Sequence, residues 1–276
     1  MGLRIATNIA SQQVQQNLKE VSDKGDSSLS KLSSGKRITR AADDAAGLAI
    51  ATTLEAQTRG LRQATRNAND GISLVQTAEG GLNETSNILV RLRELTIQAS
   101  SDTVGEAERE FLDKEYQQLT TEVDRIAQST TFNGAQLLSG EGENLDFQVG
   151  AFSADHNRIS FDTSVSDAQA GSIGIGGTGI SEKGEALDSI ASIDEAIQKV
   201  SGQRANLGSI QSRLTSTVNN LETQTINQDN ARSVIQDVDV AHESAKLASA
   251  NVVKSAGISA LVQANNIPNS ALRLIG

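Results

Sequence analysis

A glycine-rich stretch of this sequence matches the spacing of a dinucleotide-binding motif. Gly174, Gly176 and Gly179 fit G-x-G-x-x-G, and Asp194 follows at a distance that would suit a carboxylate bound to a ribose. The motif requires a buried strand before the glycines and a helix that starts on them, within a βαβ unit. Polar residues precede these glycines, and no apolar run typical of a parallel strand occurs. We therefore interpret the stretch as a flexible loop that binds no cofactor, and a dinucleotide-binding enzyme remains a remote alternative.

The other residues that could perform catalysis or bind a metal are scattered. The sequence has two histidines and no cysteine, which excludes a thiolate nucleophile and a thiolate metal site. His156 and His242 are far apart, and His242-Glu243 lacks the second histidine of a zinc-binding helix. No base is placed to activate a serine as a nucleophile. The N-glycosylation sequence that begins at Asn83 falls within a predicted helix, so we interpret that match as accidental. We expect neither an enzyme nor a metal site.

The composition favours helices that pack through aliphatic side chains. The 276 residues include no Trp, one Tyr, five Phe and one Pro. The net charge is −10, with an excess of +4 in residues 1–66 and of −14 in the remainder. Such an acidic chain is unsuited to nucleic acid, because that binding depends on cations that neutralise phosphates. The cluster of Lys36, Arg37 and Arg40 is interpreted as solvated or as facing another subunit.

Two long runs of apolar and small residues give the main structural signal. In both runs the residues recur at alternating steps of three and four, which keeps one face of a helix against a partner helix. The sequence therefore predicts a mainly α fold, in which the N- and C-terminal segments pair as a long antiparallel coiled-coil rod. That architecture favours assembly over catalysis. The runs are Leu61, Ala64, Ala68, Gly71, Val75, Ala78, Leu82, Thr85, Leu89 and Leu92, and Ala186, Ile190, Ile193, Ile197, Val200, Arg204, Leu207, Gln211, Leu214, Val218 and Leu221.

Helices are predicted over 44–100, 105–129 and 186–235, after a first helix that ends near Ser33-Ser34-Gly35. Asp43 or Asp44 is expected to cap the helix that follows, since a short carboxylate accepts hydrogen bonds from exposed N–H groups. Gly80-Gly81 weakens this helix by about 1 kcal/mol per glycine relative to alanine, but does not end it.

The stretch 130–185 between the helices has a different period. Leu145, Phe147 and Val149 alternate with polar residues, as do Ile159 and Phe161, so the sequence predicts a small central β-hairpin. The stretch from 171 to 184 is expected to be a glycine-rich loop that contributes nothing to the core.

Both ends of the chain are nearly uncharged and apolar on several helix faces. Residues 1–18 contain one charged residue, Arg4, and the segment after Glu243 contains Lys246, Lys254 and Arg273. A helix with apolar residues on several faces must be buried on several faces, so these ends are suited to the interior of an oligomer. No apolar segment is long enough for a cleavable signal peptide or a membrane span.

Five segments closely resemble bacterial flagellin. They are R-I-T-R-A-A-D-D-A-A-G-L-A-I-A (37–51), R-N-A-N-D-G-I-S-L-V-Q-T-A-E-G (66–80), T-F-N-G-A-Q-L-L (131–138), A-R-S-V-I-Q-D-V-D-V-A-H-E-S (231–244) and Q-A-N-N-I-P-N-S-A-L (263–272). The middle of the chain resembles a short form that lacks the large outer variable domains. The match over 66–80 and at the C-terminus favours the filament protein over a hook–filament junction protein, which remains the nearest alternative.

The resemblance implies a structural subunit that self-assembles into the extracellular flagellar filament for motility. It implies an inner domain formed by 1–43 with 236–276, and a rod domain formed by 44–235. It also implies export of the unfolded chain by the flagellar type III system, with a chaperone bound to the C-terminal segment and contacts to hook-associated and cap proteins. The expected terminal assembly residues are Val14, Leu18, Val21, Val238, Leu247, Val252 and Leu261.

The resemblance also implies a contact surface on the rod. In flagellins a segment of the form R-x-x-E-L touches neighbouring subunits and is recognised by the flagellin-sensing Toll-like receptor. Arg91, Glu94 and Leu95 match this segment, and Glu115 occupies a position often included in the same surface. Val90 stands where many recognised flagellins carry Gln. Leu95 lies four residues after Arg91, so we expect it on the same helix face as an apolar anchor.

Overall fold

Long α-helices dominate the computed structural model, which describes the backbone of residues 7–141 and 144–272 and the side chains of 7–141 and 144–267. Short turns of 3-10 helix cover Asp155–Asn157 and Ser164–Ser166. The expected mainly α fold with a small central β region is confirmed. In chain order the elements are α1 (Ile9–Ser34), α2 (Ala45–Ser100), α3 (Glu106–Ser129), β1 (Thr131–Phe132), β2 (Ala135–Gln136), β3 (Leu145–Gln148), β4 (Arg158–Phe161), α4 (Ala170–Ile173), α5 (Lys183–Gln236) and α6 (Val240–Leu272).

The chain forms two compact units. One comprises the described residues up to Ala56 and those from Asn227 onward, and the other comprises Gln57–Ile226. The helices expected over 44–100, 105–129 and 186–235 correspond to α2, α3 and α5. The division into an inner domain of 1–43 with 236–276 and a rod domain of 44–235 stays a prediction.

Within the unit Gln57–Ile226, α2 and α5 pack antiparallel through the predicted seams. All ten residues of the first run are buried, from Leu61 to Leu92. In the second run, buried residues such as Leu207 alternate with half-buried ones such as Arg204. Arg93 Nε donates to Asp194 Oδ1 at 2.7 Å, and Gly71 lies beside Leu214, so the two helices run in opposite directions. The repeat of three and four residues therefore determines which face of each helix is buried.

The predicted hairpin is formed by β3 and β4, which pair antiparallel with Phe147 opposite Ile159. It rests on α2 where Gly71 leaves space. A Cβ atom at Gly71 would lie 3.1 Å from Phe147 Cγ and 3.3 Å from Leu214 Cδ1. The missing side chain therefore allows the hairpin and α5 to approach α2 closely.

A second hairpin, β1–β2, was not predicted. Its strands have two residues each, and Asn133 and Gly134 connect them with φ angles of 50° and 84°. Asn-Gly is the dipeptide that such a turn with two positive φ angles favours.

The expectation that the glycine-rich loop adds nothing to the core is wrong. Ile173, Ile175 and Ile180 are each at most 1% exposed and belong to the main hydrophobic cluster. Gly174 ends α4 with a φ of 96°, and Ile175 N donates to Ala170 O at 2.9 Å. The glycines supply the backbone conformations that turn these isoleucines inward.

In the other unit, α1 packs antiparallel against α6. Asn8 Nδ2 donates to Ala264 O at 2.9 Å near one end of the pair, and a Cβ at Gly25 would lie 3.7 Å from the Cβ of Ala250. The segment after α1 is also held, because Arg37 N donates to Gln236 O at 2.7 Å and Arg37 Nη2 to Ile235 O at 2.6 Å. Asp44 Oδ1 accepts from Gly47 N at 2.8 Å, so Asp44 caps α2.

Candidate functional site

Three charged side chains from two helices form a cluster on the surface of the unit Gln57–Ile226. Arg91 and Glu94 lie one turn apart on α2, and Glu115 lies on α3. Arg91 Nε and Nη2 donate to Glu115 Oε1 at 3.1 and 2.8 Å, and Arg91 Nη1 donates to Glu94 Oε2 at 3.2 Å. The structure thus brings together three of the four residues predicted for this surface. We call Arg91, Glu94 and Glu115 the ion cluster.

The ion cluster is open to solvent, since the exposed fractions of its side chains are 49% for Arg91, 63% for Glu94 and 45% for Glu115. The hydrogen bonds to Glu115 and then to Glu94 raise the pKa of Arg91 above its ordinary value. Solvent-exposed ion pairs contribute little to folding stability. Their effect here is to hold a planar, multi-donor group in a fixed position on a surface.

Leu95 does not share that surface, so the expectation that it lies on the exposed face with Arg91 is wrong. Its side chain is 1% exposed and belongs to the main hydrophobic cluster. A step of four residues turns a helix by about 40° beyond a full turn, which here carries Leu95 toward the interior. Val90 is the apolar neighbour that is exposed, at 49%. The four-residue spacing alone did not show where the buried face of α2 ends.

The predicted terminal assembly residues divide into two groups. Val14, Leu18 and Val21 on α1 are half-buried, as are Val238 and, on α6, Leu247 and Leu261. Val252 is 69% exposed, and the neighbouring Val253 is 49% exposed. Leu18 packs on α6 at Gly257, where an added Cβ would lie 3.1 Å from Leu18 Cδ1. One side of α6 thus covers α1, while much of its remaining apolar surface faces solvent in the single chain.

The α1–α6 contact contains a buried carboxylate that sequence reasoning missed. Glu243 is 6% exposed, and its Oε1 accepts from Ser28 Oγ at 2.8 Å. Lys246 Nζ donates to Glu243 Oε2 at 3.1 Å. The Ser28 hydrogen bond is the largest of the causes that lower the pKa of Glu243, with smaller effects from Lys246 and Lys31. The sequence alone shows that Ser28 repeats at seven-residue steps with Val21 and Val14, which places it on the same face of the helix.

The glycines and histidines that suggested chemistry form no site in the described part of the chain. Gly174 ends a short helix rather than starting one, and the carboxylate of Asp194 is bound to Arg93. His156 and His242 are both exposed. Within 7–141 and 144–267, no group of three or more His, Asp or Glu side chains is arranged to hold a metal ion. No helix of the described backbone combines the length and apolarity that crossing a membrane requires.

Comparison with known proteins gives this arrangement a family. Residues 5–143 match the family model described as bacterial flagellin N-terminal helical region, and residues 190–275 match that of the bacterial flagellin C-terminal helical region. The chain belongs to the bacterial flagellin family. Membership makes it a structural subunit of the flagellar filament and not an enzyme, and it bears out the resemblance seen in the sequence.

Similar proteins support this membership along nearly the whole chain. The flagellin of Halalkalibacterium halodurans is 42% identical over 253 residues, which cover 92% of each chain. The flagellin of Bacillus subtilis is 36% identical over 303 residues, covering 99% of this chain and 100% of that one. The crystal structure of Bacillus cereus flagellin has a TM-score of 0.50 and 34% identity, covering 56% of this chain and 88% of that chain.

Proposed function

We propose that subunits of this flagellin assemble by burying the solvent-facing side of α6 together with α1. The observation that carries this proposal is the amount of aliphatic surface that α1 leaves uncovered on α6. Val252, Val262, Val253 and Ile258 are between 49% and 69% exposed in the single chain. Each aliphatic side chain that leaves water on assembly contributes about 1.5–3 kcal/mol when fully buried. An apolar surface of this kind, on a subunit from a family that forms filaments, is suited to the interior of the polymer.

The ion cluster is the second contact surface of the proposal. Arg91, Glu94 and Glu115 would contact a neighbouring subunit in the filament and the flagellin-sensing Toll-like receptor when the subunit is free. Support comes from their fixed geometry across α2 and α3 and from their exposure to solvent. Leu95 would support this surface from beneath rather than touch the partner, since it is buried.

The route to the filament is part of the same proposal. The chain would leave the cell unfolded through the flagellar type III system, with an export chaperone on its C-terminal segment, and would meet the cap and hook-associated proteins outside. The inner domain would comprise 1–43 with 236–276, and the rod domain 44–235. The long, nearly uncharged C-terminal segment supports the proposed chaperone contact, because its apolar side chains on several helix faces offer a binding surface.

A pair of substitutions at one position tests the role of α6. Val252→Asp places a carboxylate on the surface proposed to be buried, whereas Val252→Leu keeps it apolar. We expect Val252→Asp to abolish sedimentable filaments, because an unpaired charge would be buried. Val252→Leu should assemble like the unmodified chain, and circular dichroism should show the same helix content in both monomers. Normal filaments from Val252→Asp would contradict the proposal.

A further inference from the structure

Phe152 is an aromatic side chain on the surface of a chain that has few aromatic residues. The chain contains five Phe and no Trp. Phe161 is fully buried, and Phe147 and Phe132 pack against the main hydrophobic cluster. Two Phe side chains are exposed. Phe111 on α3 is 68% exposed, with a lysine ammonium 5.3 Å from its ring centroid, and Phe152 is 62% exposed, in the loop that connects β3 to β4. A single exposed apolar side chain is common on a protein surface, and what distinguishes Phe152 is the fixed backbone that presents it.

The loop around Phe152 is held in one conformation by its own side chains. Phe152 O accepts three hydrogen bonds, from Gln148 Nε2 at 2.9 Å, Asn157 Nδ2 at 2.9 Å and Ala154 N at 3.0 Å. Gln148 Nε2 also donates to Gly150 O at 3.0 Å. The backbone of the exposed residue is therefore the centre of the hydrogen-bond network.

The loop is also fixed to the helices beneath it. Ala151, the residue before Phe152, packs against the buried cluster of Leu61, Ala64 and Leu221 on α2 and α5. Asn67 Nδ2 of α2 donates to Gln148 O at 3.0 Å. With the backbone fixed on both sides, the ring of Phe152 is presented in advance, and a partner that binds it does not have to order the loop.

We propose that Phe152 is an anchor that packs against a second copy of this chain in the filament. This inference rests on the proposed assembly of the subunit. An open-ended polymer joins two different patches of the same chain, so each subunit needs projecting groups as well as surfaces that receive them. Rigid aromatic side chains that become fully desolvated are typical of the residues that dominate an interface. Gln148 and Asn157 are positioning residues, because they act through the backbone of Phe152.

Tryptophan fluorescence tests the proposal directly, since the chain has no other Trp. In Phe152→Trp the single indole should emit as a solvent-exposed group in the monomer. On assembly, we expect the emission to shift to shorter wavelength and quenching by acrylamide to fall several-fold. Filaments in which the emission and quenching of residue 152 match those of the monomer would overturn the proposal.

Substitutions in the loop give a second measurement that does not depend on the reporter. Phe152→Ala should raise the critical monomer concentration for assembly about tenfold, the loss typical of an interface anchor. Ser153→Ala, at an adjacent exposed position, is the matched control and should stay within about twofold of the unmodified chain. Asn157→Ala should raise the critical concentration several-fold, although the ring is intact.

The outcomes distinguish the anchor from the function beneath it. If the unmodified chain forms no filaments, the proposed assembly fails. If it forms filaments and Phe152→Ala forms them at the same concentration, assembly stands and the anchor is refuted. If only Asn157→Ala is without effect, the role of the loop in positioning the ring is refuted.

Discussion

Replacing Arg91 by alanine tests whether this side chain contributes to assembly rather than to the folding stability of the subunit. The guanidinium group is 49% exposed, and its partners Glu115 and Glu94 are 45% and 63% exposed. Exposed ion pairs contribute little to folding stability, so Arg91→Ala should leave the urea midpoint of unfolding close to that of the unmodified chain. If the guanidinium group is desolvated between two subunits, its loss should raise the critical concentration for assembly about tenfold or more.

Arg125 provides the matched control, because its guanidinium group is 64% exposed and Arg125 Nη2 donates to Glu122 Oε1 at 2.6 Å within one helix. Arg125→Ala removes a similar ion pair outside the ion cluster. The assay is sedimentation of polymer across a series of monomer concentrations, with urea unfolding as the measure of stability. Arg91→Lys should recover little, since an ammonium group cannot reproduce the planar contacts. Equal critical concentrations for Arg91→Ala and Arg125→Ala would show that the ion cluster is only solvated.

Two further predictions concern the packing and the pH dependence of single subunits. Gly71→Val should lower the free energy of unfolding by about 1–3 kcal/mol, because the new side chain meets Phe147 and Leu214 at 3.1–3.3 Å. Gly80→Ala, where an added Cβ meets nothing within 4 Å, should raise it by about 0.5–1 kcal/mol in the same urea titration. Because the folded-state pKa of Glu243 lies below its ordinary 4.5, its contribution to the α1–α6 contact is present above that pH and lost as the pH falls through the folded pKa. Glu243→Gln should flatten this loss in thermal melts followed by circular dichroism between about pH 3 and 6.

The helix seams and the β3–β4 hairpin could be predicted because their side chains repeat with the period of the element. The run from Leu61 to Leu92 follows the coiled-coil repeat, and Leu145, Phe147 and Val149 follow the alternation of a strand. Where burial is spread along a regular element, the period identifies the buried face. The β1–β2 hairpin escaped notice because strands of two residues are too short to show alternation, although Asn133-Gly134 is a turn signal.

The features that were missed depend on contacts between segments far apart in the chain. Ile175 and Ile180 lie in an irregular glycine-rich segment, so no period marks them as core residues. Glu243 is buried where α1 packs on α6, and Ser28 from α1 donates to its carboxylate, a contact that the pattern of α6 alone cannot reveal. Leu95 lies near the edge of the buried face of α2, where packing of the neighbouring elements decides the outcome. The ion cluster was located through the family resemblance, and the structure supplied its geometry.

The central claim is that this flagellin polymerises by itself into a filament. Electron microscopy of the purified, concentrated chain tests it most directly. The account predicts long filaments of uniform diameter that form above a critical concentration and dissolve on dilution below it. Monomers at every concentration, or aggregates without regular diameter, would contradict it.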